Sequence, residues 1–385
     1  MQYLNSIALG LLAFGCTAAN GKVTAVAWVV FLLDYYKNKN SYAIKACLSE
    51  SIVANSVKAM FIFIALFALS SVLSWSVLGF KETGHLLEKI APFFLAVFLL
   101  YRRQNVIVPL SIGVTAGTFT VLASALYNMA QGHFYRPESI LGNPNSLGGW
   151  SILILPFTVA VFADTTNKRS VKVLSGLSSL FLLASLVISV SRGAMVGLVI
   201  MTLAALAMYF WHSYKAVAVA MAAAVLLCVG AYNIYSFTHR GYDYERVLLV
   251  QSGTQMFLDH PILGVGCGNF AHFYREKYIS PLAREPRLDT PHNFILHYLD
   301  TVGIVGTSGL IIMLMGQVYC IYKNTFVDGR VNWLIFASFL SFVGMFVHGM
   351  VDIICMNRFY MIIYGFLWSI TCWSIMSKKT KVTRN

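Results

Sequence analysis

An apolar run of membrane-span length opens on ionisable residues in the stretch TPHNFILHYLDTVGIVG, residues 290–306. His292 stands at its head, and His297 and Asp300 follow inside it. An imidazole titrates near neutral pH and can accept a proton from an alcohol in a transition state. His292 is therefore a candidate general base. His297 points to another helix face, where a packed histidine is the simpler interpretation.

The neighbours of His292 suggest how such a base could be held. Pro291 favours a helix start, which would place His292 in the first turn. Asp289 precedes it, Asn293 follows it directly, and Asp300 lies two helical turns beyond it, so either carboxylate could orient the imidazole. A histidine at a helix start can also be a simple cap, and these residues alone leave both interpretations open.

A second candidate is Arg192, in the stretch SVSRGAMVG between two apolar runs. An arginine fixed at the edge of an apolar bundle is costly, so a partner is expected. Guanidinium suits phosphate because it stays charged and offers a planar fork for bidentate contact. The alternative is a side chain that snorkels to lipid headgroups.

A third group of cations lies between residues 238 and 291. Clustered cations raise the local concentration of anions such as a lipid pyrophosphate. Arg246 is the best candidate because it stands one turn before the apolar positions of a helical segment, and each of the others is more simply a solvated charge. The group comprises Arg240, Arg246, Arg275, Lys277, Arg284 and Arg287.

Composition places the chain among membrane proteins. Of its 385 residues, 58% are hydrophobic and 11% are charged, and the mean hydropathy is +0.70. Soluble domains have roughly 25% charged residues. The seven cysteines stand singly without metal-ligand spacing, and their odd number argues against a disulfide framework. The net charge of +13 is better explained by the placement of basic residues than by nucleic-acid binding.

Continuous apolar runs of span length predict an all-α polytopic membrane protein with about twelve transmembrane helices, since only helices or closed barrels cross lipid. The first run begins almost at Met1 without a basic segment, so it is expected to be a span and not a cleaved signal. The predicted helices are 2–19, 23–36, 58–80, 86–101, 106–130, 147–163, 173–191, 193–211, 216–237, 292–322, 333–351 and 359–376.

Basic residues set the expected orientation. With both termini inside, the inner loops and the tail hold the YRRQN and SKKTKVTRN clusters, whereas the short outer loops hold few lysines or arginines. This gives three parts: helices one to nine in 1–237, a long periplasmic loop in 238–291, and helices ten to twelve with a basic cytoplasmic tail in 292–385.

The long loop contains a segment, YERVLLVQSGTQMFLDH, with helical apolar spacing. It predicts a membrane-surface helix followed by a turn in HPILGVGCGNF. The positions of its expected apolar face are Val247, Leu248, Val250, Gln251, Thr254 and Phe257.

Four stretches, in order, resemble the O-antigen ligase and polymerase superfamily, the membrane glycosyltransferases that act on undecaprenyl-diphosphate-linked glycans. They are LGNPNSLGGW, SVSRGAMVGL, RVLLVQSGTQMFLDHPILGVGCGNF and HNFILHYLDTVGIVG. Each is weak alone, but together they span about residues 130 to 310, and the helix layout covers the remainder. The resemblance implies a GT-C-like glycosyltransferase architecture.

The resemblance also implies roles for particular residues. Arg192 and Arg246 match arginines that hold the donor diphosphate, and His292 matches the histidine that activates the acceptor hydroxyl. The helix after Arg246 lacks a tryptophan that the family often carries, so Arg240 could be the arginine that binds the diphosphate instead. Asn145, in the Asn-Pro-Asn turn, is either a supporting residue of the site or part of a structural turn.

The expected activity is that of an O-antigen ligase at the periplasmic face of a bacterial inner membrane. It would transfer a whole glycan from undecaprenyl diphosphate to a sugar hydroxyl of lipid A-core, with inversion and with no cofactor. No metal is expected, because arginine supplies the positive charge. The nearest approach to an Asp-x-Asp metal motif, DYE at residues 243–245, is interpreted as a solvated patch.

Two other functions stay open at this point. A polymerase of the same superfamily is the closer alternative, although the short loop after helix five favours the ligase. A transporter would need ionisable residues deep in its spans. The candidates for that role are Glu88 with Lys89 and His348 with Asp352, and both pairs are interpreted as local structural partners. The expected partners are the lipid-linked donor, the lipid A-core acceptor and membrane lipids, and not nucleic acid.

Overall fold

The computed structural model describes residues 2–103, 105–211, 241–327, 330–353 and 358–382. Phe326–Val327 and Arg330–Val331 pair as a minimal antiparallel hairpin, and Tyr274–Tyr278 is a π-helical turn. The α-helices are α1 (Gln2–Thr17), α2 (Gly21–Lys37), α3 (Lys39–Tyr42), α4 (Ile44–Ser49), α5 (Ser51–Leu73), α6 (Val77–Leu100), α7 (Ile107–Ala130), α8 (Pro144–Ala163), α9 (Arg169–Ser189), α10 (Arg192–Trp211), α11 (Gly241–Asp259), α12 (Phe270–Phe273), α13 (Phe294–Thr325), α14 (Trp333–Gly349) and α15 (Arg358–Val382).

The prediction of an all-α polytopic membrane protein is confirmed. In the described part of the chain, seven helices are long and apolar enough to cross a membrane, and three more apolar helices are shorter. Every predicted helix that falls within the described ranges has a counterpart. The predicted helix 216–237 and Arg240 lie outside the described residues.

Both ends of the predicted helix 58–80 and the start of 86–101 are wrong by several residues; these helices correspond to α5 and α6. The apolar runs set the predicted ends, whereas the real ends depend on a cap. The Ser76 hydroxyl accepts a hydrogen bond from the Gly79 N–H and so starts α6 early. The same hydroxyl donates to the Cys267 carbonyl at 2.9 Å, which ties this polar first turn to the long loop.

Connections between helices alternate between the two ends of the bundle. One end, called the site end below, holds residues 241–293, the turn before α10 and the segment 350–353 after α14. The opposite end holds the connections between α2 and α5, α6 and α7, and α8 and α9. The helices α13 and α8 pack closely along α5 and α9, respectively, and bring distant segments together at the site end.

The largest core cluster surrounds α8, whose side chains are buried nearly all round. Trp150 is 1% exposed, and its indole N–H donates to the Thr17 carbonyl at 2.9 Å. A buried indole needs such an acceptor, because an unpaired polar group in an apolar interior is costly. This contact fixes α8 against α1 and so holds the start of α8, which carries Asn145.

Helix α13 is broken at Gly303, where φ is 62° and ψ is −167°. This backbone conformation is essentially restricted to glycine. The segment 261–266 fills the break: the Ile304 N–H donates to the Pro261 carbonyl at 2.9 Å, and the Val265 N–H donates to the Asp300 carbonyl at 2.7 Å. The long loop thereby satisfies backbone groups that the break would otherwise leave unpaired.

The predicted helix in the long loop is present as α11, but its predicted apolar face is wrong at Val250, Gln251 and Thr254, which are exposed. Leu248 is buried as predicted, and the buried stripe continues through Leu249, Ser252, Gly253 and Met256 at helical spacing. It packs on the aromatic side chains that follow in the same loop, Phe270, Tyr274 and Tyr278. The position of α11 at a membrane surface stays a prediction.

Candidate active site

Three arginines and the predicted base line one cleft at the site end, which we call the arginine cleft. Its empty space is about 770 Å³, and its lining residues are Arg136, Arg192, Glu245, Arg246, Leu249, Glu285, Leu288 and His292. A smaller recess of about 310 Å³ shares the three arginines and adds Asn145, His348 and Asp352. The cations come from the α7–α8 connection, the start of α10 and α11.

His292 does not lie in a helical first turn, as predicted. It has a left-handed backbone with φ of 52°, and α13 begins two residues later. Asn293 is the cap: its side-chain oxygen accepts from the Leu296 N–H at 3.0 Å, and its amide donates to the Met350 carbonyl at 3.3 Å. Residues other than glycine rarely adopt a left-handed backbone conformation. Where they do, the surrounding contacts usually hold it in place.

The carboxylate that faces His292 is Asp352, from the segment after α14. His292 Nδ1 lies 3.4 Å from Asp352 Oδ1, which also accepts from the Ile353 N–H at 2.8 Å. Asn145 donates to Asp352 Oδ2 at 2.7 Å, and Arg136 in turn donates to the Asn145 side-chain oxygen at 2.8 Å. Both oxygens of a buried carboxylate are thus satisfied, and a chain of polar contacts runs from Arg136 to the imidazole.

The charge of Asp352 follows from these contacts. Burial alone would raise the pKa of its carboxyl, but the hydrogen bond with His292 and the nearby charges of His292, His348 and Arg246 outweigh burial and lower the pKa to about 2. An ionised carboxylate can only accept, so His292 Nδ1 must carry the hydrogen in this contact. In the neutral imidazole, Nε2 then keeps the lone pair that a general base requires.

The two predicted diphosphate ligands lie on the rim of this arrangement. Arg192 is the first residue of α10 and is exposed to the cleft. Arg246, in the second turn of α11, is half-buried and donates through Nη1 to the Val351 carbonyl at 2.8 Å. Together with Arg136 they place three permanent charges around one space, at a helix N-terminus whose dipole also favours an anion.

Two glycines of the quoted motifs have a packing role here. The ring of His348, which is 2% exposed, lies between Gly149 of α8 and Gly193 of α10. A Cβ at Gly149 would come within 2.9 Å of a ring carbon, and a Cβ at Gly193 within 3.0 Å. The glycines therefore let α8, α10 and α14 approach each other closely, so that Asn145, Arg192 and Asp352 share one recess.

Other predicted site residues do not join the cleft. Asp289 is exposed. Asp300 is fully buried and faces His297, with 3.5 Å between His297 Nδ1 and Asp300 Oδ1, so it pairs with a different histidine from the one predicted. Arg284 and Arg287 are exposed, and Lys277 pairs with Asp259 at 2.9 Å on the outside of the loop.

The interpretation of residues 243–245 as a solvated patch is wrong for Glu245. This residue is 6% exposed, lines the arginine cleft and accepts the Arg284 N–H at 2.7 Å. The side chain is turned inward because position 245 lies on the buried stripe of α11, three residues before Leu248. Among the described residues, no group of three or more histidine, cysteine, aspartate or glutamate side chains is placed to hold a metal ion.

Sequence reasoning missed Arg136 and misjudged Asp352. His348 and Asp352 were expected to be each other's local partners, and Glu88 was expected to pair with Lys89. The Asp352 N–H does donate to the His348 carbonyl at 3.0 Å, but its carboxylate contacts His292, and Lys89 pairs with Glu82. The available signal was an ionisable residue at the outer edge of a span, which in membrane proteins marks a functional site by default.

Residues 177–311 match the family model described as O-antigen ligase (Wzy_C). This stretch of the chain is similar to the O-antigen ligase family, and the match supports the resemblance seen in the sequence. Members of this family are glycosyltransferase-like enzymes of O-antigen assembly. Among the curated proteins, none matches the chain by sequence.

The part that matches the O-antigen ligase family contains Arg192, Arg246 and His292. It begins after Asn145 and ends before Asp352, so the carboxylate that contacts the base and the amide that holds this carboxylate both come from outside the matched residues. The cleft therefore depends on helices from the whole chain, although the family match covers less than half of it.

Proposed function

We propose that this protein transfers a glycan en bloc from undecaprenyl diphosphate to a sugar hydroxyl of lipid A-core. The observation that carries the proposal is the arginine cleft, where three guanidinium groups surround one space and an imidazole is held by an ionised carboxylate at its edge. The match of residues 177–311 to the O-antigen ligase family supports lipid-linked glycan and lipid A-core as the general substrate classes.

The reaction is a substitution at the anomeric carbon of the donor. His292 Nε2 takes the proton of the acceptor hydroxyl, whose oxygen forms the new bond to that carbon. The bond between the carbon and the diphosphate oxygen breaks, and its electron pair leaves with undecaprenyl diphosphate. Attack opposite the leaving group inverts the anomeric carbon. The imidazolium then returns its proton to solvent, and Asp352 stabilises its charge in the meantime.

The three arginines stabilise the diphosphate as it leaves. Diphosphate departure concentrates negative charge on oxygen, and preorganised cations in a site of low dielectric stabilise it. Arg192 and Arg246 are the proposed ligands, and Arg136 joins them through its place in the same cleft. Because the arginines provide this positive charge, we propose a reaction that needs neither a metal ion nor a cofactor. Transfer should persist in excess chelator, whereas a loss restored by added metal would contradict it.

The distribution of charge supports a multi-pass protein of the bacterial inner membrane with the cleft facing the periplasm. The connections at the opposite end carry Arg102 and Arg103 between α6 and α7, and Lys168 with Arg169 at the start of α9. Lysine and arginine in short loops favour the cytoplasmic side. The cleft lies at the other end, where the donor glycan would be exposed.

The second candidate is polymerisation of the glycan on its lipid carrier by the same chemistry. Polymerases of the superfamily commonly have two sizeable outer loops. Here the connection between α7 and α8 has ordered contacts and is short, which favours the ligase: the Asn128 amide donates to the Glu138 carbonyl at 2.8 Å, and Ser139 pairs with Gly142.

The lipopolysaccharide of a strain from which the gene is deleted tests this choice. Full-length lipid-linked chains that accumulate without attachment to the core are the result expected for a ligase. Cores that carry a single repeat would instead identify a polymerase. An unchanged lipopolysaccharide pattern would contradict both.

A further inference from the structure

Two cavities, each partly open to the outside of the bundle, lie end to end and begin beside the arginine cleft. The upper cavity has about 780 Å³ of empty space, open space at its mouth included, and its lining includes Phe63, Leu86, Phe294, Tyr298, Met345 and Met361. Phe294 lies two residues after His292, and Met345 lies one turn before His348. The upper cavity therefore starts where the proposed reaction takes place.

The lower cavity continues from the upper one toward the opposite end of the bundle. It has about 990 Å³ of empty space, and Met313 and Gln317 line both cavities. The same three helices, α5, α13 and α15, provide walls for each. Along α15 the lining runs from Met361 to Ile375, which is about 21 Å at the rise of an α-helix.

The chemistry of the walls changes along this path. The upper cavity is lined by apolar side chains, and its one lysine, Lys89, has its ammonium 3.4 Å from Glu82. The lower cavity becomes polar at its far end, with Ser51, Asn55 and Lys323 among its lining residues. An apolar chain that enters beside the cleft would therefore meet a suitable wall first and a polar one last.

A polar pair stands where the cavities meet. Tyr364 lines the upper cavity, and its hydroxyl donates to the side-chain oxygen of Gln317 at 2.6 Å. Gln317 is 4% exposed and lines both spaces. A long apolar chain must pass this pair to reach the lower cavity, whereas a short one ends before it.

We propose that the two cavities form one site for the polyprenyl tail of the donor, and that the Gln317–Tyr364 pair separates short tails from long ones. The inference rests on the proposed function, because it takes a lipid diphosphate as the donor. Its physical basis is additive burial: each methylene group that enters the lower cavity contributes to binding. The upper cavity suits a tail better than a phospholipid, because its lysine already faces a carboxylate.

The first experiment measures kcat/KM for donors that share one glycan and differ in tail length. Wild-type protein should prefer long tails. In Gly316→Phe, a ring would occupy the lower cavity, and the position has room, since a Cβ there meets no atom within 4 Å. The ratio of kcat/KM for long over short tails should fall at least about tenfold, which loss of roughly two buried methylene groups would account for.

Met315→Phe is the matched control. Met315 lies on the same helix, is 63% exposed and lines neither cavity, so its variant should keep the wild-type ratio. An equal kcat/KM for all tails in the wild type, or an unchanged ratio in Gly316→Phe, would overturn the tail site and leave the proposed function standing. Wild-type protein that uses no donor at all would instead contradict the proposed function.

A second experiment tests the site without transfer. A polyprenyl diphosphate that carries a photoreactive group at its tail end and no glycan should label peptides around Met313 and Ile375 in the wild type. Unlabelled polyprenyl diphosphate should compete, and anionic phospholipid should not. Labelling that only phospholipid displaces would assign the lower cavity to a structural lipid and overturn the proposal.

Discussion

His292 Nδ1 and Asp352 Oδ1 lie 3.4 Å apart, although sixty residues separate them in the chain. The first belongs to the strained turn before α13 and the second to the segment after α14. Asn145, from the first turn of α8, holds the other carboxylate oxygen. Three helix ends must therefore dock before the imidazole has a fixed orientation, so the base is a product of the tertiary fold.

The first prediction concerns His292. His292→Asn should lower transfer by about 10²- to 10⁴-fold, the range that general bases contribute. Asparagine is the right replacement because it tolerates the left-handed backbone at φ of 52° and carries no basic nitrogen. Glycan attachment to lipid A-core, measured with purified protein and donor, checks it. His272→Asn, an exposed histidine of the same loop, is the control, and wild-type activity in His292→Asn would remove the base assignment.

The second prediction concerns Asp352 as the residue that positions this base. Its folded pKa of about 2 lies below the ordinary value of 3.8, so its carboxylate contributes stability above 3.8 and loses that contribution as pH falls through about 2. The carboxylate is therefore fully charged throughout any practical assay. Asp352→Asn should lower kcat more than it changes KM, because a neutral amide no longer fixes the Nδ1–H tautomer or stabilises the imidazolium that forms in the reaction.

Asp259→Asn is a closely matched control for that experiment. Hydrogen bonds from Lys277, Tyr278 and Gln255 also lower the pKa of Asp259 to about 2, but this carboxylate lies at the end of α11 and does not line the arginine cleft. Its variant should keep the wild-type kcat and KM. If both variants lowered kcat equally, or if Asp352→Asn raised KM and left kcat unchanged, Asp352 would not be the residue that positions the base.

Much of the fold was predictable from the sequence, and the site was predictable in part. Apolar runs determine the helices because lipid forces every backbone group to pair within its own segment. They do not determine where a capped polar turn extends a helix, as at Ser76. Arg192 and His292 could be selected by residue type and position. Asp352 could not be chosen over Asp289 and Asp300, because the choice depends on which helix ends dock beside His292.

The buried face of α11 shows the same limit. Val250 and Thr254 fit an apolar helical stripe in the sequence, but they are exposed. Leu249, Ser252 and Met256 are buried instead, because the aromatic side chains after α11 fold back onto that side. The partner of an amphipathic helix, and not its own periodicity, decides which face is covered.

The third prediction concerns the arginines. Arg136→Lys, Arg192→Lys and Arg246→Lys should each weaken transfer by roughly 10- to 10²-fold, since an ammonium keeps the charge but loses the fork that fits a diphosphate. Inhibition by inorganic pyrophosphate should weaken in parallel. Arg275→Lys is the control: Arg275 is exposed and donates to the Ala271 carbonyl outside the cleft. Near-normal activity of Arg192→Lys would favour the alternative, in which the Arg192 side chain extends to lipid headgroups and does not bind the diphosphate.

The fourth prediction concerns the break in α13. Gly303→Ala should destabilise the protein by about 1–3 kcal/mol, the range for a residue forced into this backbone region, because its Cβ would also overlap the Ile262 backbone carbonyl. The segment 261–266 would then no longer pack into the break in α13. The long loop that carries Arg246 would lose this contact with the bundle. Thermal unfolding in detergent should show a lower midpoint, together with reduced transfer. Gly316→Ala is the control, because a Cβ at that position meets no atom within 4 Å. Equal stability of the two variants would mean that the inserted segment does not depend on this glycine.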